Sequence, residues 1–153
     1  MGQEALLKKV DLFQGLDDGE LVEIEQICKS RYHGGGEVLF SEGSRGEEIY
    51  IVKKGKVRID LKLGRKEDDC ATVHRIRSGL VFGELALVDQ RARSASATCE
   101  GPCEILYLSC KQLVELFERN NRIGYVVLGN LARLMATRLR KTNLQLVASV
   151  CWE

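Results

Sequence analysis

Glycine interrupts the middle of this 153-residue chain so often that the stretch reads as short strands rather than helices. Gly34 to Gly36, Gly43, Gly46, Gly55, Gly64, Gly79, Gly83 and Gly101 all fall between His33 and Cys110. Between them, Val57, Ile59, Leu61 and Leu63 alternate with Lys56, Arg58, Asp60 and Lys62, a period of two that buries one face and wets the other. Further strands are expected at Glu37 to Ser41, Ile49 to Lys53, Ala71 to Ile76, Ser94 to Cys99 and Glu104 to Leu108. Their short connections leave no room for crossover helices, so antiparallel pairing in a β-sandwich or roll follows.

Helical periodicity flanks this region. Leu6, Leu7 and Val10 open the chain, and Leu21, Ile24, Ile27 and Cys28 continue it. Asp17 with Glu20 three residues later forms a capping box, which predicts a helix from about Asp17 to Lys29. Ser109 with Gln112 predicts a second, through about Glu118. A long helix to about Ala148 then places Leu128, Leu131, Met135, Leu139, Thr142 and Leu146 near one stripe. No repeat or low-complexity linker divides the chain, so residues 1–153 are expected to form one unit: a helical opening over 1–31, a roll over 32–109 and C-terminal helices over 110–148. The expected class is α+β, a jelly roll with short N-terminal helices and a long C-terminal helix.

Composition narrows the function. Lysine and arginine number 23 against 22 acidic residues, a net charge of +1, so no global positive field invites nucleic acid or an anionic membrane. No apolar run is long enough for a membrane span or a signal peptide, and a cytoplasmic location is expected. Cys28, Cys70, Cys99, Cys103, Cys110 and Cys151 include no CxxC pair and are read as small buried thiols. An anion, if one is bound, must meet a local site.

Such a site is written into Phe82-Gly83-Glu84-Leu85-Ala86-Leu87, followed after five residues by Arg93-Ser94-Ala95-Ser96. Gly83 allows close backbone approach, and a helical turn starting there would aim the amides of Leu85 and Ala86 outward. Arg93 and the Ser94 hydroxyl add donors, and a guanidinium matches the paired oxygens of a phosphodiester. Glu84 can only accept, so beside a phosphate it must take protons from another group, for which a sugar hydroxyl is the natural candidate.

These residues resemble the phosphate-binding cassette of the cyclic nucleotide-binding domain family, which includes bacterial catabolite activators and protein kinase A regulatory subunits. The resemblance extends along most of the chain. Gly36-Glu37-Val38-Leu39-Phe40 with Glu42-Gly43, Gly46-Glu47-Glu48-Ile49-Tyr50-Ile51-Val52 and Gly55-Lys56-Val57 are similar to the family's opening strands, and Leu12-Phe13 through Glu20-Leu21 to its first helix. The resemblance implies a jelly roll that binds cyclic AMP or cyclic GMP and needs no other cofactor. It implies that Glu84 holds the ribose 2′-hydroxyl, that Arg93 holds the cyclic phosphate, and that Gly83, Leu85, Ala86, Ser94 and Ala95 complete the cradle. Thr142 and Asn143 fall where some members reach the purine, and the long helix where some members pair with a twin, so a homodimer through it is expected. Ala92 and Ser96 stand where the family often has proline and threonine, and Gly35-Gly36-Glu37 where it often has Pro-Gly-Glu. None of these departures removes a ligand-contacting group.

Other classes fit less well. Arg91 shares strand parity with Arg93 but reads as a solvated charge. His33 and His74 are too far apart in sequence for the histidine cluster of a cupin-like metalloenzyme, so no metal site is expected. No serine or cysteine lies in a recognisable elbow, and an enzyme is not expected. Many bacterial relatives add a DNA-binding helix-turn-helix, for which the few residues after Val147 leave no space. The chain alone is therefore expected to bind no nucleic acid, whether it is a free-standing sensor or the sensor part of a longer regulator.

Overall fold

Asp17 accepts a hydrogen bond from the Glu20 N–H at 2.8 Å, and Glu20 accepts from the Asp17 N–H at 3.0 Å. This reciprocal cap starts helix α2 (Asp18–Gln26), after a short α1 (Glu4–Leu7) and a 3₁₀ turn at Asp11–Phe13. The computed structural model describes residues 3–64, 66 and 69–151, so the outermost residues of the expected unit lie outside it. Helix α2 ends earlier than its periodicity suggests. Cys28 and Lys29 pair with Leu108 and Tyr107, as the start of β1 (Cys28–His33). Apolar spacing alone cannot separate a helix end from a strand start, and the sheet partner decides it.

The remaining strands are β2 (Val38–Phe40), β3 (Glu48–Lys62), β4 (Cys70–Ile76), β5 (Val81–Phe82) and β6 (Ser96–Ser109). The sheet runs β1-β6-β3-β4, with β2 also on β6 and β5 also on β3, and every pairing is antiparallel. This is an unclosed jelly-roll sheet flanked by helices. Two pairs of expected strands are continuous: Ile49 to Lys53 runs on through Val57 as β3, and the two halves of β6 join across Gly101 and Pro102. The register shifts between Lys54↔Glu104 and Lys56↔Glu100, so these breakers mark a bulge between strands that stay neighbours on both sides of it.

Strand β3 serves two cores. Ile49 and Ile51 face Leu7, Leu12, Phe13, Leu21 and Ile24 of the opening helices, while Tyr50 and Val52 face Phe82, Ala97, Cys99 and Ile105 inside the roll. Burial on both faces turns a strand's alternation into the continuous run Ile49-Tyr50-Ile51-Val52. Cys99, Cys103 and Cys110 are buried as expected, whereas Cys70 and Cys151 are exposed.

Ser109 Oγ accepts from the Gln112 N–H at 3.3 Å at the start of α4 (Cys110–Arg119). Helix α5 then runs Asn121–Cys151, three residues beyond its expected end. Its first half is bolted to the opening turn: Asn130 Nδ2 donates to the carbonyls of Leu12 at 2.9 Å and Gln14 at 2.8 Å. Ile123, Val127 and Leu131 are buried there. Leu131 therefore belongs to the core of the protomer and not to an outward stripe, because this half of α5 packs against the 3₁₀ turn and α4. Beyond Met135, α5 is exposed through Cys151. No helix among the described residues is long and apolar enough to cross a membrane.

Candidate functional site

Strand β5 pairs with Tyr50 and Ile51 and delivers Gly83 at φ 72°, a left-handed conformation that glycine alone adopts freely. A Cβ there would lie 2.8 Å from Arg93 Nη1. The chain then makes the short helix α3 (Ala86–Asp89) and reverses at Gln90. It returns along Ser44, where Arg93 N donates to the Ser44 carbonyl at 2.7 Å and Gly43 N donates to the Arg93 carbonyl at 2.8 Å. The Ala86 N–H, expected to point outward, lies 3.4 Å from the Gly83 carbonyl and is at most weakly held.

Gly83, Glu84, Leu85, Ala86, Arg93, Ser94 and Ala95 all border one cavity of about 590 Å³. Ile59 and Leu61 of β3 and Ile76 of β4 form its apolar wall. Arg93 is only 8% exposed. Its Nη1 donates to the Gly83 carbonyl at 2.9 Å and its Nη2 to the Glu48 carbonyl at 2.6 Å, with Tyr50 Oη 3.5 Å away. The guanidinium carbon lies 4.3 Å from the Phe40 ring centroid and 5.3 Å from that of Tyr50. Gly46 makes the seat possible, since a Cβ there would lie 3.1 Å from Arg93 Cζ.

Carbonyl dipoles and aromatic faces hold this cation, but no carboxylate among the described residues neutralises it, and its buried Nε has no partner. A buried charge without a counterion is costly, so the arrangement favours an anion in the cavity. Burial pushes the Tyr50 phenol above its ordinary value, with the Arg93 charge opposing, so Tyr50 stays a neutral donor.

Glu84 is 2% exposed, and its carboxylate binds Arg138 of α5. Desolvation lowers the Arg138 guanidinium from its ordinary value, which leaves it charged at any ordinary pH. Arg138 had no sequence motif to mark it, and Phe40, Glu48 and Tyr50 stood out only as parts of the opening strands, not as site residues. Tyr50 sits in the continuous apolar run of β3, which favours neither face, and only folding brings α5 to Glu84. Thr142 and Asn143 do not border the cavity. They lie one turn beyond Arg138 on exposed helix, with Thr142 Oγ1 donating to the Arg138 carbonyl at 2.9 Å. The residue that α5 sends to the cavity is thus Arg138, because the helix leaves the roll after that point.

Arg91 is exposed at the rim of the cavity. His33 bridges Glu37 at 2.7 Å and Tyr107 at 2.5 Å, away from His74, which borders the cavity. No group of metal-ligating side chains occurs among the described residues.

A family model of the cyclic nucleotide-binding domain matches residues 30–120. The cyclic AMP receptor protein of Thermus thermophilus is 33% identical over 141 residues, covering 92% of this chain and 62% of that protein. A cGMP-dependent protein kinase of Drosophila melanogaster, isozyme 2 forms cD5/T2, is 30% identical over 94 residues, covering 61% of this chain and 10% of the kinase. The crystal structure of the Thermus thermophilus catabolite activator protein superposes with a TM-score of 0.78 at 34% identity, over 89% of this chain and 61% of that one. The chain thus spans less than two thirds of the length of these relatives.

Proposed function

We propose, from the premise that this chain belongs to the cyclic nucleotide-binding domain family, that it binds a purine 3′,5′-cyclic nucleotide in the Arg93 cavity and works as a sensor rather than an enzyme. The observation that carries this reading is the buried Arg93 guanidinium, seated by carbonyls and ring faces and lacking a counterion. The cyclic phosphate supplies that counterion. Glu84 accepts from the ribose 2′-hydroxyl, and the apolar wall of Ile59, Leu61 and Ile76 takes the base.

Arg138 links the cavity to α5. A ligand hydroxyl reaching Glu84 must share or displace the Arg138 contact, so occupancy changes what holds the exposed half of the helix. In this reading α5 carries the signal, and its exposed Leu139 and Leu146 take part in a homodimer seam. A cytoplasmic setting belongs to the same proposal. So does the absence of nucleic-acid binding by these residues, for which the near balance of 23 basic and 22 acidic residues is the support.

Calorimetric titration with cyclic AMP and cyclic GMP tests the proposal. The expected result is saturable binding of at least one nucleotide. It should raise stability by about 2.7 kcal/mol at ~100 times the dissociation constant. Absence of heat and of thermal shift with both nucleotides at millimolar concentration overturns it.

A further inference from the structure

Two aromatic rings lie beside the Arg93 guanidinium, and a third is stacked on them. The guanidinium carbon is over the Phe40 ring at 4.3 Å from its centroid, and 5.3 Å from that of Tyr50. Phe40 stacks on Tyr50 at 5.4 Å and Tyr50 on Phe82 at 5.0 Å. Phe82 leads directly into Gly83, whose carbonyl accepts from Arg93 Nη1. The two rings at the cation are held differently. Tyr50 lies within β3, paired with Phe82 on one side and Tyr107 on the other. Phe40 ends the three-residue strand β2, whose pairs with β6 are Val38↔Thr98 and Phe40↔Ala97, with a register shift between them. Phe40 also borders the nucleotide cavity, which Tyr50 does not.

The polar contacts of Arg93 leave one freedom. Two of its five N–H groups donate to the Gly83 and Glu48 carbonyls, and its buried Nε–H has no partner. Such bonds run along the edge of the guanidinium and tolerate some rotation of its plane, because hydrogen-bond directions at a carbonyl are broad. A phosphodiester is less tolerant, since two parallel N–H···O bonds need that plane aligned with the paired oxygens. A ring with the guanidinium carbon over its face supplies the missing restraint. Its negative face also attracts a cation that lacks a carboxylate, and the contact at 4.3 Å is well inside the ~6 Å reach of that attraction.

Resting on the cyclic nucleotide reading, we propose that Phe40 is a positioning residue for the cyclic phosphate: its ring holds the Arg93 guanidinium in the plane that the phosphate requires. Phe40 does so through Arg93 and not by its own contact with the phosphate. A leucine there would fill much of the space without offering a π face. In the free protein the guanidinium would then relax toward other orientations, and each binding event would have to order it again. The cost falls on affinity. It is the same for adenine and guanine nucleotides, because the phosphate is common to both.

The test is calorimetric titration of the whole chain with cyclic AMP and cyclic GMP. It is made on the parent, on Phe40→Leu, on Phe40→Tyr and on chains in which Phe40 bears one, two or three ring fluorines. Fluorine drains the negative face of the ring and barely changes its size, so a role in packing alone gives no trend along the series. Phe40→Leu should weaken each nucleotide that binds about three- to tenfold, part of the worth of a buried cation–π contact, while Phe40→Tyr stays within about twofold of the parent. Dissociation constants should climb with each added fluorine, by the same factor for both nucleotides where both bind. The fluorinated chains keep the shape of the parent and decide the matter even where Phe40→Leu fails to fold. A flat fluorine series, or an effect confined to one of two nucleotides that bind, overturns the role of Phe40 and leaves the nucleotide reading standing. Absence of binding by the parent overturns the nucleotide reading itself, and this inference with it.

Discussion

The Arg138 guanidinium binds the buried Glu84 carboxylate across 54 positions of sequence, and so ties the last helix to the floor of the cavity. Glu84 is almost wholly enclosed while Arg138 is about half exposed, so the pair is neither a surface bridge of little worth nor a fully desolvated one. Arg138→Ala leaves a buried carboxylate without its cation and is expected to cost about 1–3 kcal/mol in urea unfolding. Adding Glu84→Gln removes the stranded charge. The double variant should therefore be more stable than the sum of the two single losses implies, by at least about 0.5 kcal/mol. An additive cycle would show that the contact contributes nothing.

Arg93 and Arg91 provide a paired control. One is buried against Phe40, Tyr50 and the Gly83 carbonyl, and the other is exposed at the rim. Truncating one member of a buried charge pair costs about 2–5 kcal/mol, so Arg93→Ala should weaken cyclic nucleotide binding by roughly 30-fold or more. Arg91→Ala should change it by less than about threefold. Calorimetry on both variants checks this, and equal losses would place the phosphate elsewhere.

Glu104 sets part of the acid sensitivity. Lys53, whose Nζ lies 2.7 Å from the Glu104 carboxylate, and then Ser30 hold its carboxyl below the ordinary value, against the opposing effect of burial. A group with a depressed folded-state value adds stability that is present above the unfolded value and is lost as pH falls through the folded one. The parent should therefore lose melting temperature on acidification below the ordinary glutamate range near pH 4.3, and Glu104→Gln should lose less. Thermal unfolding followed from pH 7 to pH 3 measures the difference.

Leu139 is 62% exposed and Leu131 is 1% exposed, although both lie near one stripe of the same helix. Replacing Leu139 and Leu146 with glutamate should convert a dimer to a folded monomer in light scattering. Leu131→Glu should instead unfold the protomer, since it places a charge in the core under the 3₁₀ turn. A monomeric parent chain would remove the seam.

What the sequence determined by itself is what a few neighbouring residues can encode. The Asp17–Glu20 cap, the strand around Val57 and the contiguous run from Gly83 to Ala95 depend on spacing along the chain and lie where their patterns indicate, although the alternation blurs, with residues 58–61 all half-buried and Leu63, expected inward, exposed just past the end of β3. Tertiary structure decided what depends on elements meeting. The β3 and β6 pairing runs through a bulge that glycine and proline alone would present as a break. Cys28 became strand because Leu108 was there to pair with it. The seat of Arg93 combines a carbonyl from β3, rings from β2 and β3, and a glycine after β5, while Glu84 meets a guanidinium from α5. Such contacts carry no local signature. Sheet register and the docking of α5 fix them together, and no short segment holds either one.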